Sequence, residues 1–199
     1  NVLKVRMREM AFLNKGIRIT LTDEREDPPT ERSYYYEGGI VEFVKYLNKN
    51  KQVLFEEPIY VEGVSDDETS VEVAFQYSES YTENIFSFAN NIHTPEGGTH
   101  EAGFWYAILK GIRAYGELVK NKKAEQITRD DLLTGGCALV SCFIREPEFV
   151  GQTKDRLATV EAQRLVEGAV RDHFDNWLAS DTKSAGAILD FLVLRSEER

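Results

Sequence analysis

In residues 2–13, the apolar side chains Leu3, Met7, Met10 and Phe12/Leu13 recur near the spacing that lines one side of a helix. Asn14-Lys15-Gly16 should stop it, since glycine takes the left-handed conformation cheaply. Ile17, Ile19 and Leu21 then alternate with polar residues, the period of a half-buried strand. Residues 23–33 are charged and hold Pro28-Pro29, which cannot continue a ladder, so a surface loop is expected there. After Glu37-Gly38-Gly39, the positions Ile40, Phe43, Val44 and Leu47 mark a short amphipathic helix. Ile59-Tyr60-Val61 reads as a strand and residues 63–68 as a turn. The cleanest strand follows, with Val71, Val73, Phe75 and Tyr77 on one face and Glu72, Ala74 and Gln76 on the other. Residues 84–89 are expected as the next strand, completing a meander.

Gly97-Gly98-Thr99-His100 opens a long helix, with Thr99 as its expected N-cap and Glu101 favouring the positive helix start. Phe104, Ile108, Ile112, Tyr115 and Val119 give that helix one stripe to bury. Residues 138–144 are a continuous apolar run of strand length, as in a buried strand. A loop over 145–155 leads to a helix bearing Leu165, Val166, Ala169, Val170, Phe174 and Trp177, and a last helix covers about 184–195. Strands interrupted by helices, without a regular βαβ rhythm, predict an α+β fold: one mixed β-sheet with helices on one face and long C-terminal helices.

Composition narrows the function classes. At 199 residues, 42% hydrophobic and 29% charged, the chain can bury a core as one domain or two small ones. No apolar run approaches the ~18 residues of a membrane span. A start at Asn1 without Met or a charged-then-apolar leader predicts no secretory signal and an excised piece of a longer polypeptide. Cys137 and Cys142 form no disulfide framework and no metal spacing, which fits a reducing cytoplasm. A net charge of −10 argues against nucleic-acid gripping by this piece alone, because phosphate neutralisation dominates that affinity. Two local basic runs, at residues 49–51 and 120–123, read as solvated loops or helix ends.

The common enzyme signatures are missing: no phosphate-binding Gly-x-x-x-x-Gly-Lys loop, no Gly-x-Gly-x-x-Gly after a strand, no Gly-x-Ser-x-Gly elbow. His93, His100 and His173 lie in separate segments without ligand spacing. One loop carries candidate chemistry, Glu146-Pro147-Glu148-Phe149-Val150-Gly151-Gln152-Thr153-Lys154, between a buried strand and a long helix. Gln152 can donate from its amide, and Lys154 brings a compact charge with three donors. Such a loop suits a phosphate approached from outside, or it is simply a polar connection.

Longer blocks carry a resemblance. They are Arg8-Glu9-Met10-Ala11-Phe12-Leu13-Asn14-Lys15-Gly16, Tyr36-Glu37-Gly38-Gly39-Ile40 with Tyr46-Leu47-Asn48, Val71-Glu72-Val73-Ala74, and Asn84-Ile85-Phe86-Ser87-Phe88-Ala89-Asn90-Asn91. Glu96-Gly97-Gly98-Thr99-His100-Glu101-Ala102-Gly103-Phe104 and Glu148-Phe149-Val150-Gly151-Gln152-Thr153-Lys154 complete them. In this order and over nearly the whole chain, they resemble the second, transducer domain of the ATPase subunit of bacterial type IIA DNA topoisomerases, the B subunits of DNA gyrase and topoisomerase IV. Up to about Phe104 the likeness is to gyrase. From Trp105 on it is closer to topoisomerase IV, and the basic residue that gyrase-like relatives often carry at the Trp105 position is absent.

The resemblance implies a left-handed β-α-β crossover in a ribosomal-protein-like transducer fold. Residues 1–15 are then the helix connecting a preceding ATP-binding domain, and 16–199 the transducer with its C-terminal helices. It implies that Gln152 and Lys154 contact the ATP γ-phosphate, Lys154 catalytically, coupling hydrolysis to gate movement during DNA strand passage. Glu37-Gly38-Gly39 and Gly97-Gly98-Thr99-His100 are expected as helix starts, Asn90 and Asn91 as turn residues. ATP and Mg²⁺ belong to the full subunit, mainly in the ATP-binding domain, and the fragment alone is expected to hold neither and to be inactive. Implied partners are that domain, the DNA-cleaving subunit of the topoisomerase, duplex DNA and a second copy of the ATPase subunit, in the cytoplasm and away from membranes. The alternatives are a non-catalytic scaffold domain and the second domain of a mismatch-repair or chaperone-type ATPase.

Overall fold

A computed structural model describes residues 1–199. Helix α1 (Val2–Leu13) buries only its C-terminal end, Ala11, Phe12 and Leu13. Asn14 closes it, donating to the Met10 carbonyl from backbone N (3.1 Å) and side-chain Nδ2 (2.9 Å). Strands β1 (Arg18–Asp23) and β2 (Thr30–Tyr35) then pair antiparallel from Arg18↔Tyr35 to Asp23↔Thr30. The loop expected over 23–33 therefore shrinks to 24–29. Proline ends a ladder only where a donor is needed, and Pro29 stands just before the first residue of β2. Helix α2 (Ile40–Asn48) buries Ile40, Phe43 and Val44, as its apolar spacing predicts.

The main sheet holds β3 (Ile59–Val64), β4 (Ser70–Tyr77), β5 (Asn84–Ala89), β6 (Ile92–His93) and β7 (Gly136–Phe143), in the spatial order β3-β4-β7-β5-β6. The expected meander is corrected here: β5 does not pair with β4. Between them lies β7, antiparallel to β4 (Ser70↔Phe143 to Tyr77↔Gly136) and parallel to β5 (Asn84↔Cys137 to Ala89↔Cys142). Every residue of β7 except Phe143 is buried, so it needs cover on both faces and neighbours on both edges. Parallel neighbours require a crossover. Helix α3 (Thr99–Leu118), a 3₁₀ turn (Lys122–Gln126) and the short α4 (Arg129–Leu133) supply it between β5 and β7.

Alternation assigns the two faces. Val71, Val73, Phe75 and Tyr77 of β4 join Ala138, Val140 and Cys142 of β7 in the larger core. The long helices cover that face: α3 through Phe104, Ile108 and Ile112, α5 (Val160–Ser180) through Val166, Val170 and Phe174, and α6 (Thr182–Glu198) through Ile188 and Leu192. On the other face Ala74, Phe88 and Leu139 meet Phe12 and Leu13 of α1 and Ile40, Phe43 and Val44 of α2. The α3 stripe fades where the helix outruns the sheet, with Tyr115 half-buried and Val119 exposed beyond the last turn. Helix α6 exceeds the predicted 184–195 because Asp181 caps it early, Oδ1 accepting from the Ser184 N–H at 3.1 Å. No helix is long and apolar enough to cross a membrane.

Candidate functional site

The segment predicted as a loop over 145–155 is a small hairpin. Strands β8 (Phe149–Val150) and β9 (Arg156–Leu157) pair antiparallel through Phe149↔Leu157 and Val150↔Arg156. Residues 151–155 form its tip, with Gly151 (φ +78°) and Lys154 (φ +59°) both left-handed. That backbone turns the chain back within a few residues, and it is uncommon for a residue carrying a Cβ. Gln152, Thr153 and Lys154 are exposed together, so the two candidate site residues share one apex. Thr153 Oγ1 donates to Asp155 Oδ2 at 2.5 Å and stiffens the turn. Lys154 Nζ lies 5.9 Å from the Phe149 ring centroid and joins none of the ion pairs, leaving its donors free for an external anion.

The base of the hairpin is fixed to the start of α3. Leu157, fully buried, donates its N–H to the Gly97 carbonyl at 3.1 Å, and the Asp155 carbonyl accepts from the Glu96 N–H at 2.9 Å. Glu148 N–H donates to Thr159 Oγ1 at 2.9 Å, while Thr99 Oγ1 donates to the Thr159 carbonyl at 2.6 Å. At Gly98, with φ +142°, a Cβ would stand 2.4 Å from the Leu157 carbonyl oxygen. Only glycine allows this approach. The expected N-cap is corrected accordingly: Gly98 caps α3, and Thr99, the first helical residue, donates its hydroxyl to the Thr159 carbonyl just beyond the hairpin.

The remaining candidates do not assemble. His93 is exposed beside the Phe86 and Phe88 rings, His173 is exposed on α5, and no three potential ligand side chains gather for a metal. His100 is fully buried, and desolvation pushes its pKa down to about 4. The Cys137 and Cys142 thiols are inert in the core, pushed up to about 12 chiefly by burial. Trp105 is core as well, 2% exposed. Asn90 (φ +50°) and Asn91 (φ +64°) form the β5–β6 turn as expected. Asn90 also pairs with the backbone of Ile144, Nδ2 to O at 2.8 Å and N to Oδ1 at 2.7 Å, ending β7 just before the hairpin. In Glu37-Gly38-Gly39, Gly39 caps α2, a helix start and no more.

The family model described as DNA gyrase B matches residues 39–199. The chain belongs to the DNA gyrase B family. The match runs through Trp105 and beyond. The DNA gyrase B protein of Clostridium acetobutylicum is 45% identical over 203 residues, covering 100% of this chain and 31% of that protein. Its counterpart in Staphylococcus epidermidis is 42% identical, over 99% of this chain and 31% of its own length. The chain thus spans less than a third of the curated relatives it matches. Among solved structures, the 43K ATPase domain of Thermus thermophilus gyrase B, in complex with an aminocoumarin, superposes with a TM-score of 0.83 at 29% identity. That match covers 98% of this chain and 52% of that one. The topoisomerase IV ATP-binding domain of Francisella tularensis, in complex with a small-molecule inhibitor, gives 0.81 at 26% identity, over 100% of this chain and 53% of that one.

Within this gyrase B family fold, the Glu-Gly-Gly-Thr-His block holds the residues that directly follow the Gln-Thr-Lys block, Asp155, Leu157 and Thr159. Sequence reading treated them separately. The one signal that joins them is a second glycine at the residue where a helix would ordinarily place Ser, Thr or Asp.

Proposed function

We propose that this chain is the transducer part of the ATPase subunit of an ATP-dependent type II DNA topoisomerase, an isomerase, and that Lys154 and Gln152 contact the γ-phosphate of ATP. Residues 1–15 connect to the preceding ATP-binding domain and 16–199 form the transducer. The reading rests on one observation above all: an unpaired ammonium is carried at the apex of a hairpin whose base is locked to the main body. The open Val2–Val5 end of α1, with Val2 84% exposed, suits continuation into that preceding domain.

The chemistry follows from the donors. Lys154 Nζ places positive charge against the oxygens that gain negative charge as the phosphoryl group transfers, and the Gln152 amide adds a neutral donor. Magnesium is assigned to the ATP-binding domain, where it would neutralise phosphate charge. Loss of the γ-phosphate removes the partner of the tip, so ATP and ADP states differ in contact free energy and domain angle shifts with nucleotide. Because the hairpin seats on α3, and α3 on the sheet, displacement of the tip moves the whole body. A second copy of the ATPase chain, duplex DNA and the DNA-cleaving subunit complete the cytoplasmic assembly, in which this motion opens and closes a DNA gate.

The test is ATP turnover by this chain fused behind a gyrase-family ATP-binding domain, wild type against Lys154→Ala. Loss of a transition-state charge contact predicts a fall of ~100-fold or more with dimer formation intact. Equal rates in a folded, dimerising fusion would reduce the hairpin to a connection within a scaffold domain.

A further inference from the structure

Under the hairpin seat lies a buried polar cluster that the γ-phosphate contact does not use. Ser87, in the middle of β5, and Thr94, just after β6, are each 1% exposed, and His100, in the first turn of α3, is 0% exposed. Thr94 is held to Ser87 by two hydrogen bonds to one carbonyl, and the two hydroxyls lie in contact. Its N–H donates to the Ser87 carbonyl at 2.8 Å and its Oγ1 donates to the same oxygen at 2.9 Å. Ser87 Oγ lies 2.9 Å from Thr94 Oγ1 and 3.2 Å from the Thr94 carbonyl. Glu101 Oε2 accepts from Ser87 Oγ at 2.9 Å, and His100 Nε2 lies 3.3 Å from Thr94 Oγ1. With the Thr94 proton on the Ser87 carbonyl, Thr94 Oγ1 accepts from Nε2–H, so Nδ1 carries a bare lone pair. That atom is buried without a partner.

The same residues lead outward to the tip. The Thr94 carbonyl accepts from the Gly97 N–H at 2.9 Å, and the Gly97 carbonyl accepts from the Leu157 N–H at 3.1 Å. Next to it the Glu96 N–H holds the Asp155 carbonyl at 2.9 Å. A series of hydrogen bonds thus runs from the parallel centre of the sheet, through Thr94 and Gly97, to Leu157 at the base of the hairpin, and the Glu96 N–H in the same turn separately holds Asp155, the residue adjoining Lys154. An apolar trio could fill the space, but it would lack the directional contacts that fix the 94–97 turn to one geometry, and buried polar networks define unique arrangements in this way.

We propose that Ser87, Thr94 and His100 are positioning residues for the hairpin: by clamping the 94–97 turn to β5 they set how far and in what direction Lys154 reaches. The catalytic half of this statement rests on the γ-phosphate reading; the structural half does not.

The two halves separate in one experiment on the fusion with an ATP-binding domain. Thr94→Val keeps the shape and deletes the hydroxyl, and Thr94→Ser returns it. Without nucleotide, the Glu96 and Leu157 amides should exchange about 10-fold faster in Thr94→Val, while β4 and β7 keep their protection, as local opening differs from global unfolding. With ATP, kcat should fall about 10-fold at unchanged KM, the cost of a misplaced transition-state group. Thr94→Ser should restore both. Because the clamp acts through Lys154, Thr94→Val should lower kcat no further in a Lys154→Ala background. If Thr94→Val does not fold, Ser87→Ala is read at the same amides. Unchanged exchange at Glu96 and Leu157 would overturn the proposal, and so would a full additional loss of kcat on the Lys154→Ala background. Should Lys154→Ala itself leave turnover intact, the γ-phosphate reading falls, while the exchange measurement still decides whether the clamp orders the hairpin.

Discussion

Two hairpins leave the body of this molecule, and they are secured in opposite ways. The β1–β2 hairpin has six ladder pairs, yet of its strand residues only Tyr34 is buried. Its turn is tied by a local contact, Arg25 to Asp23 at 2.6 Å, on the surface where such pairs contribute little. The β8–β9 hairpin has two ladder pairs, too few to hold two strands together in water. It is ordered from below, by Leu157 in the core and by backbone contacts to Glu96, Gly97 and Gly98. Ladder length therefore sets how stiff a hairpin is along itself, and the seat at its base sets where its tip stands. For a tip whose proposed task is to meet a phosphate in another domain, the seat matters more.

The strongest way to break this contrast is Gly98→Ala. A Cβ 2.4 Å from the Leu157 carbonyl, at a backbone angle reserved for glycine, should destabilise the chain by about 3 kcal/mol or more in urea unfolding. Wild-type stability would mean that the hairpin is not seated as described. Next is acid. Desolvation holds His100 at about 4 against an ordinary 6.5, so the fold keeps it neutral while the unfolded chain takes up a proton first. The resulting stability is fully present above about pH 6.5, declines as pH falls and levels off near 4, about 3 kcal/mol in all. His100→Gln should flatten this window; an equal slope in both proteins would mean the ring is not buried neutral.

A smaller effect sharpens the comparison within one hairpin. Gly151 is also left-handed, but a Cβ there meets nothing within 4 Å. Gly151→Ala should cost only the backbone preference, about 1 kcal/mol, and a loss matching that of Gly98→Ala would show the tip to be as packed as the base. The smallest effect belongs to the other hairpin. Thr20→Val removes an exposed Thr20–Ser33 hydroxyl contact of 2.9 Å across β1–β2 and should shift stability by less than about 1 kcal/mol. A larger loss would mean that this ladder supports the body after all.

Most elements could be read from periodicity because their burial is one-sided. Val71, Val73, Phe75 and Tyr77 alternate since one face of β4 meets the long helices, and α2 shows its stripe for the same reason. The order of strands was not legible. An apolar run such as 138–144 announces burial on both faces but does not say which neighbours flank it, so the meander expectation failed. The 145–155 hairpin was missed because two residues per strand are too few to show alternation. At the candidate site, Gln152 and Lys154 were legible as residues on one loop. Their support was not, since Gly98, Leu157, Thr94 and Ser87 come from separate segments that meet only in the fold.

The central strand has a consequence for how the chain comes into being. Synthesis releases β4 and β5 well before β7, yet β7 is the strand that belongs between them. Until Phe143 has emerged, both facing edges carry unpaired donors and acceptors beside apolar faces, the kind of surface on which nascent chains stick to one another. The β3–β4 ladder can form in the meantime, as it joins neighbours in sequence. Closing the rest must wait for the whole crossover helix, so the vulnerable interval in the life of this molecule is the time a ribosome takes to travel from Ala89 to Phe143.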